Sequence, residues 1–286
     1  MLSVQVQRKR RKTRGNKLND LSGTEWIKFT KSWFIHRPPR RQGRKLLHPA
    51  SFPESLVKEF VLFFTKKRQV VVDPFLGTGS SLLACAETGR TGIGFEIVPK
   101  YAKIARERLR EFRRGRLEQD IQSVVSADSR TLSSVWIKRG FPQADYCITS
   151  PPYWNQLKRN HMRQRDRIGR DLDTTYSKDP REIGNINDYE GFLIELKSIM
   201  DEVFKVLKPN GYLTLITNNV FFNGRMRPLA FDTVRTLTKE PYGWIPKDER
   251  IWCQDDKALL PLGVYSAWVG NRHHQYCLIF RKETES

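Results

Sequence analysis

Thr149-Ser150-Pro151-Pro152-Tyr153-Trp154 constrains this chain most. It follows Ala144-Asp145-Tyr146-Cys147-Ile148, an apolar run short enough to be a buried strand, and two consecutive prolines forbid any helix or ladder from continuing. The strand must end at Ser150. Such a stop leaves a rigid, extended corner at the carboxyl end of a strand, which is where open α/β sheets hold ligands. Proline has no amide hydrogen, so the carbonyls of Ser150 and Pro151 face a ligand without a competing donor beside them. Tyr153 adds a flat ring, and acceptors beside a ring suit a planar base that carries an exocyclic amine.

A second strand-ending loop lies upstream. Gln69-Val70-Val71-Val72 is continuous and β-branched, as a parallel strand buried on both faces should be, and it runs into Asp73-Pro74-Phe75-Leu76-Gly77-Thr78-Gly79-Ser80-Ser81. Glycines at 77 and 79 permit a tight turn and close backbone approach to a ligand. Glu96 ends the next strand, Thr91 to Phe95, about twenty residues beyond the glycines, where an acid takes both ribose hydroxyls. Adenosine binding follows, whether the carrier is a dinucleotide or S-adenosylmethionine.

Together, Ser-Pro-Pro-Tyr and Asp-Pro-Phe-Leu-Gly-Thr-Gly-Ser resemble the amino-methyltransferase family, which methylates exocyclic amines of DNA bases with S-adenosylmethionine. The resemblance implies an α/β fold: a mostly parallel, doubly wound, seven-stranded sheet with helices on both faces and a closing antiparallel strand. It makes Ser150, Pro151, Pro152 and Tyr153 the catalytic loop. It sets Asp73 near the methionine ammonium group, with Phe75, Gly77, Gly79 and Ser80 shaping the cofactor wall and Glu96 on the ribose. Asp128, after a strand at Ser123 to Ser126, would accept from the adenine amine, although it reads equally well as a helix cap. His48 and Pro49 would border the methionine end, against a plain helix-entry turn as the other reading. No lysine follows Gly79, in keeping with a sulfonium cofactor that brings no phosphate. The cofactor loop precedes the catalytic loop, so the chain looks permuted relative to family members arranged the other way. By family habit, Ser150 at the first catalytic position favours N4 of cytosine over N6 of adenine. An RNA base and a binding protein that has lost activity are the alternatives.

Charge points the same way. Lys+Arg number 51 against 31 Asp+Glu, a formal net charge of +20, which favours an anionic partner. DNA is the expected one, with RNA second. A membrane is not expected, since no apolar run reaches the ~20 residues needed to span one. A homodimer and a cognate restriction endonuclease stay open as further partners, and a prokaryotic or viral-host cytoplasm is the expected location. The four cysteines read as reduced core residues, and no metal site is expected.

The remaining expectations concern organisation. Residues 1–20 read as a basic arm, either solvated or laid on nucleic acid, and 21–286 as one methyltransferase domain. Leu21 to Phe34 should pack before a basic loop. Ser51 and Glu54 should form a capping box opening a helix that runs to about Thr65. Residues 155–187, dense in Arg and Asn, read as a basic substrate-binding insertion, and 223–270 as a second recognition region. Arg106, Arg110 and Arg113 should line a solvated helix face, a helix should run from Asp188 to Leu207, and another from Arg225 to Thr238.

Overall fold

The computed structural model describes residues 16–37, 52–114, 122–154, 177 and 179–283. Its frame is an eight-stranded sheet. Strands β1 (Trp33–Ile35), β2 (Val70–Asp73), β3 (Thr91–Glu96), β4 (Gln122–Ser126), β5 (Ala144–Thr149), β6 (Leu207–Thr217), β9 (Ile245–Cys253) and β10 (His274–Arg281) lie in the order β1-β9-β10-β6-β5-β2-β3-β4. A separate ribbon pairs β7 (Val220–Phe222) with β8 (Arg225–Arg227). The run from β6 through β4 is parallel, and β10 is antiparallel to both β6 and β9. Seven strands match the expected sheet. The eighth is β1, which adds itself parallel to β9 at the edge, Phe34 opposite Trp252.

Period-two alternation divides the core into two layers. Val70 and Val72, Cys147, Leu213 and Leu215 face a layer completed by α5 (Leu132–Lys138) and α6 (Tyr189–Val206). Val71, Tyr146, Ile148 and Ile216 face the other, under α2 (Glu54–Phe64) and α3 (Ser80–Thr88). Strands flanked on both sides must be apolar throughout, which is why Val70–Asp73 is buried at every position. On α2, Leu56, Val57, Phe60, Val61 and Phe64 are buried as their helical spacing predicts. Helix α4 (Pro99–Arg113) packs Ala105 and Leu109 against Leu76, Leu82 and Leu83.

Several local expectations need correction. The segment before the basic loop is α1 (Gly23–Phe29) followed by β1; α1 opens on a capping box between Ser22 and Glu25. Phe29 stacks on Phe63 at 4.0 Å, and the Arg250 guanidinium lies 4.0 Å from the centre of the Phe29 ring. These contacts fasten the segment to the sheet. Helix α2 takes Pro53 as its N-cap, and Ser51, the other half of the expected capping box, lies outside the described residues. Within the described residues Glu54 accepts from Ser80 Oγ and pairs with Arg108. Arg106 leaves the solvated face to bond Val124 O at 3.1 Å and Ser126 Oγ at 2.7 Å. Residues 225–227 form β8, and the helix behind them, α7, spans Leu229–Leu237. An Asn223-Gly224 turn, both residues at positive φ, lets the ribbon reverse before a helix can start.

Of the arm expected over 1–20, residues 16–20 are described and lie against α2, where Asn19 Nδ2 donates to Phe63 O at 2.6 Å. His48, Pro49 and Ser51 lie outside the described residues, as do residues 155–176 and 178 of the expected insertion. None of the four cysteines is in a disulfide. No helix among the described residues is long and apolar enough to cross a membrane.

Candidate active site

Chain order and strand order part company at one point. From β2 the chain moves outward through β3 and β4, then returns to add β5 and β6 on the other side. The carboxyl ends of β2 and β5 therefore flank the topological switch point, where an open parallel sheet leaves a crevice. Asp73 ends the first of these strands, and Ser150 follows the second.

Asp73 ties the two ends together. It is fully buried, and its carboxylate accepts from Ser81 Oγ at 2.5 Å, Thr149 Oγ1 at 2.6 Å and the Phe75 amide at 3.0 Å. One side chain thus joins β2, the first turn of α3 and the residue just before the Ser-Pro-Pro corner. Burial pushes its carboxyl up to about 6, held back by the Ser81 and Thr149 hydroxyls and the Phe75 amide. Thr149 and Ser81 were visible in the sequence only as a strand end and a helix start. Their hydroxyls matter because the fold sets them across from one carboxylate.

The glycine loop is as tight as its residue types suggest. Gly77 and Gly79 sit at φ 56° and 87°, the left-handed region that favours glycine. A Cβ on Gly79 would stand 2.9 Å from that of Ala105, so α4 can pack this closely only against glycine. Phe75 packs on the core at the edge of the loop, and Ser129 Oγ donates to Pro74 O at 2.6 Å. Ser80 is 4% exposed and turned toward Glu54, a bond that tethers the loop to α2.

Glu96 closes the crevice from β3. Its two oxygens accept from the Gly77 amide at 2.7 Å and the Val98 amide at 2.8 Å. Burial pushes its carboxyl up to about 8; the two amides pull it back, and Glu182 and Asp73 add like-charge repulsion. Glu182, not singled out from sequence, arrives from the far side of the 155–176 segment, buried, its own carboxyl raised by burial. Asp128 follows β4 and caps the turn Ser129–Thr131, accepting from the Arg130 amide at 3.0 Å, while its second oxygen pairs with the Arg130 guanidinium at 2.9 Å.

At the corner, Ser150 Oγ and Tyr153 Oη are 3.2 Å apart, and the Tyr153 hydroxyl donates to Gln275 Oε1 on β10 at 2.8 Å. Gln275 is a further residue missed from sequence, 122 positions away. Trp154 takes φ 44°, rare for a bulky side chain. Its burial makes that conformation tolerable: Nε1 donates to Asn187 O at 3.2 Å, and its ring meets Tyr189 and Phe222, each at 5.1 Å.

A family model described as DNA methylase matches residues 3–107 and 144–286, most of the chain. This chain belongs to the N6/N4 DNA methylase family. Among curated relatives it is 40% identical over 65 residues to the orphan methyltransferase M.BamHII of Bacillus amyloliquefaciens, covering 23% of this chain and 24% of that protein. It is also 40% identical over 72 residues to the type II methyltransferase M.HinfI of Haemophilus influenzae, covering 25% and 20%. The matched segments thus span a quarter or less of these relatives' own length. Among solved structures, TrmN from Thermus thermophilus aligns with a TM-score of 0.48 at 17% identity, over 80% of this chain and 48% of that one.

S-adenosylmethionine is the cofactor that membership of this family implies. The crevice residues fit it. A carboxylate has about four acceptor sites, and the two amides on Glu96 use two, leaving a buried acid with capacity for a pair of hydroxyls. Among the described residues no group of three or more His, Cys, Asp or Glu is placed to hold a metal ion.

Proposed function

We propose that this chain is a DNA methyltransferase acting on an exocyclic base amine, with N4 of cytosine favoured. The observation that carries the reading is the Asp73–Thr149 hydrogen bond at the switch point, which locks the cofactor loop against the Ser150-Pro151-Pro152-Tyr153 corner.

In this reading Glu96 holds the ribose hydroxyls, while Asp73, Phe75, Gly77, Gly79 and Ser80 keep the loop shaped around the cofactor. Asp128 borders the adenine end, with its carboxylate oriented by Arg130. Bound S-adenosylmethionine supplies an electrophilic methyl group. An exocyclic amine is a poor nucleophile because its lone pair is delocalised into the ring. Carbonyl acceptors at Ser150 and Pro151 hold its hydrogens, favour a more tetrahedral nitrogen, and aim the lone pair along one line. Pro152 puts no competing donor there. Tyr153, fixed by Ser150 and Gln275, is the stacking surface for a base flipped out of the duplex. The formal charge of +20 supplies the attraction for the phosphate backbone, and 155–187 and 223–270 are the proposed recognition regions.

The test is incubation with labelled S-adenosylmethionine and DNA or RNA, digestion to nucleosides, and mass spectrometry. N4-methylcytosine from DNA is the expected product. N6-methyladenine would overturn only the choice of base, and label in RNA alone would overturn the substrate class. In the Ser150→Ala variant, which keeps both carbonyls but loses the hydroxyl that fixes Tyr153, transfer should fall at least tenfold with cofactor affinity kept; unchanged turnover would remove the Ser150 hydroxyl and its hold on Tyr153 from the mechanism.

A further inference from the structure

We infer that Asn218 is a substrate-contacting residue whose side-chain oxygen accepts a hydrogen bond from the amine of the target base. The inference rests on the reading above and adds a residue to it.

Asn218 is 7% exposed, and its Oδ1 is buried without a hydrogen-bond partner. A buried acceptor left unpaired is destabilising, so such groups are few, and each needs a reason. The neighbouring Asn219 sets the contrast. It is equally buried at 6%, yet its Oδ1 accepts from the Ala230 amide at 2.9 Å and its backbone carbonyl accepts from Arg272. Asn219 is spent on structure, and Asn218 is not.

Position supplies the reason. Asn218 is the first residue beyond β6, the strand next to β5, so it stands at the carboxyl edge of the sheet. Thr149 pairs with Leu215, and carrying that register three residues further sets Asn218 level with the Pro151-Pro152 corner. On its other side Thr217 pairs with Tyr276, which makes Gln275 its neighbour on β10. Alternation also selects the face. Tyr146 and Ile148, Ile216, and Cys277 and Ile279 all belong to the layer under α2. Two further steps along each strand bring Ser150, Asn218 and Gln275 to that same face.

Three polar side chains therefore end three adjacent columns of one apolar layer. Two of them are already linked through Tyr153. The third has an acceptor to give, and an amine hydrogen already held by a corner carbonyl can be shared with it as a three-centre bond. The terminal torsion of asparagine is soft and roughly two-fold, so the carboxamide turns toward the corner at little cost. Among the described residues, the other buried unpartnered side-chain atoms, on Gln122, Thr233, Trp244 and Arg250, lie in β4, in α7, just before β9 and within β9, away from the corner.

The decisive variants are Asn218→Leu, which removes the polar group at similar volume, and Asn218→Asp, which keeps an acceptor oxygen. The readouts are thermal midpoint, S-adenosylmethionine affinity, and kcat/KM for methyl transfer to DNA. For the leucine variant we expect a midpoint at or above that of the unaltered protein, unchanged cofactor affinity, and kcat/KM at least tenfold lower. The aspartate variant should transfer faster than the leucine one. Unchanged kcat/KM would overturn the inference. So would a lowered midpoint with lost transfer that aspartate does not restore, which marks a structural role, or weakened cofactor affinity, which assigns the oxygen to the cofactor. An unaltered protein that transfers no methyl to DNA would overturn the inference together with the proposed function, whereas transfer by the unaltered protein and by the leucine variant alike would overturn the inference alone.

Discussion

The two sides of the crevice are built on opposite plans. On the proposed cofactor side, Asp73 and Glu96 are buried carboxylates already holding five hydrogen bonds within the chain, and Gly79 in the loop between them packs against α4 with no room for a side chain. Across the sheet, β8 and the loop joining β9 to β10 carry large residues outward. Met226 is 52% exposed, and Tyr265 and Trp268 are about fully exposed, at 106% and 94%. Gln254 N donates to His273 O at 2.7 Å, closing the base of that loop beside the strand that carries Gln275. A small ligand of fixed shape calls for a preorganised, desolvated pocket, whereas a long polyanion calls for surface and protruding rings. The difference teaches that affinity for the cofactor and affinity for the substrate can be broken separately.

The largest effect should come from the hub. Asp73→Ala leaves the Ser81 and Thr149 hydroxyls buried without their acceptor and releases the catalytic corner from the cofactor loop. Transfer should fall by about a thousandfold or more, with a lower thermal midpoint; a variant that keeps a tenth of the activity would show that the two loops do not depend on one another.

Glu96→Gln probes the same side through pH. The Glu96 carboxyl is raised from 4.5 to about 8 in the folded chain, so the native state binds that proton more tightly than the unfolded state. Its contribution to stability is fully present below about pH 4.5 and is lost as pH rises toward 8, the direction also set by Asp73 between 3.8 and about 6. The cofactor-free glutamine variant should lose less stability than the unaltered protein between pH 5 and 8. Hydroxyl donors favour the ionised acid, so cofactor affinity of the unaltered protein should rise through this range, while that of the variant should be about tenfold weaker and flat. Parallel pH profiles in titration calorimetry would remove Glu96 from the cofactor site.

The smallest change belongs to the other side. Trp268→Ala alters a ring that touches almost nothing in the chain, so stability should stay within about 0.5 kcal/mol and cofactor affinity should not move. KM for DNA should rise several-fold by steady-state kinetics, the scale of one lost stacking contact. An unchanged KM would take the β9–β10 loop out of the substrate surface.

Much of this was legible in the chain itself. Continuous β-branched runs ending in Asp73-Pro74 and Ser150-Pro151-Pro152 define two strands and their stops, because apolar period and the missing proline amide act over a few residues. Gly77 and Gly79 announce a left-handed turn for the same local reason. Glu96 is found by its distance along the chain, since one helix and one strand fill that interval.

Only the tertiary structure decided which groups meet. Glu54 meets Arg108 and Ser80, and Arg106 turns inward to β4, because long charged side chains take the partner that packing brings near. Asp73 becomes a hub only when β5 lies beside β2, which places Thr149 within 2.6 Å of it. Gln275 and Asn218 reach the corner through strand register, with no signal in their own neighbourhood of sequence. Local stiffness fixes where strands end; long-range pairing, settled by burial of both faces of the sheet, fixes what stands next to each end.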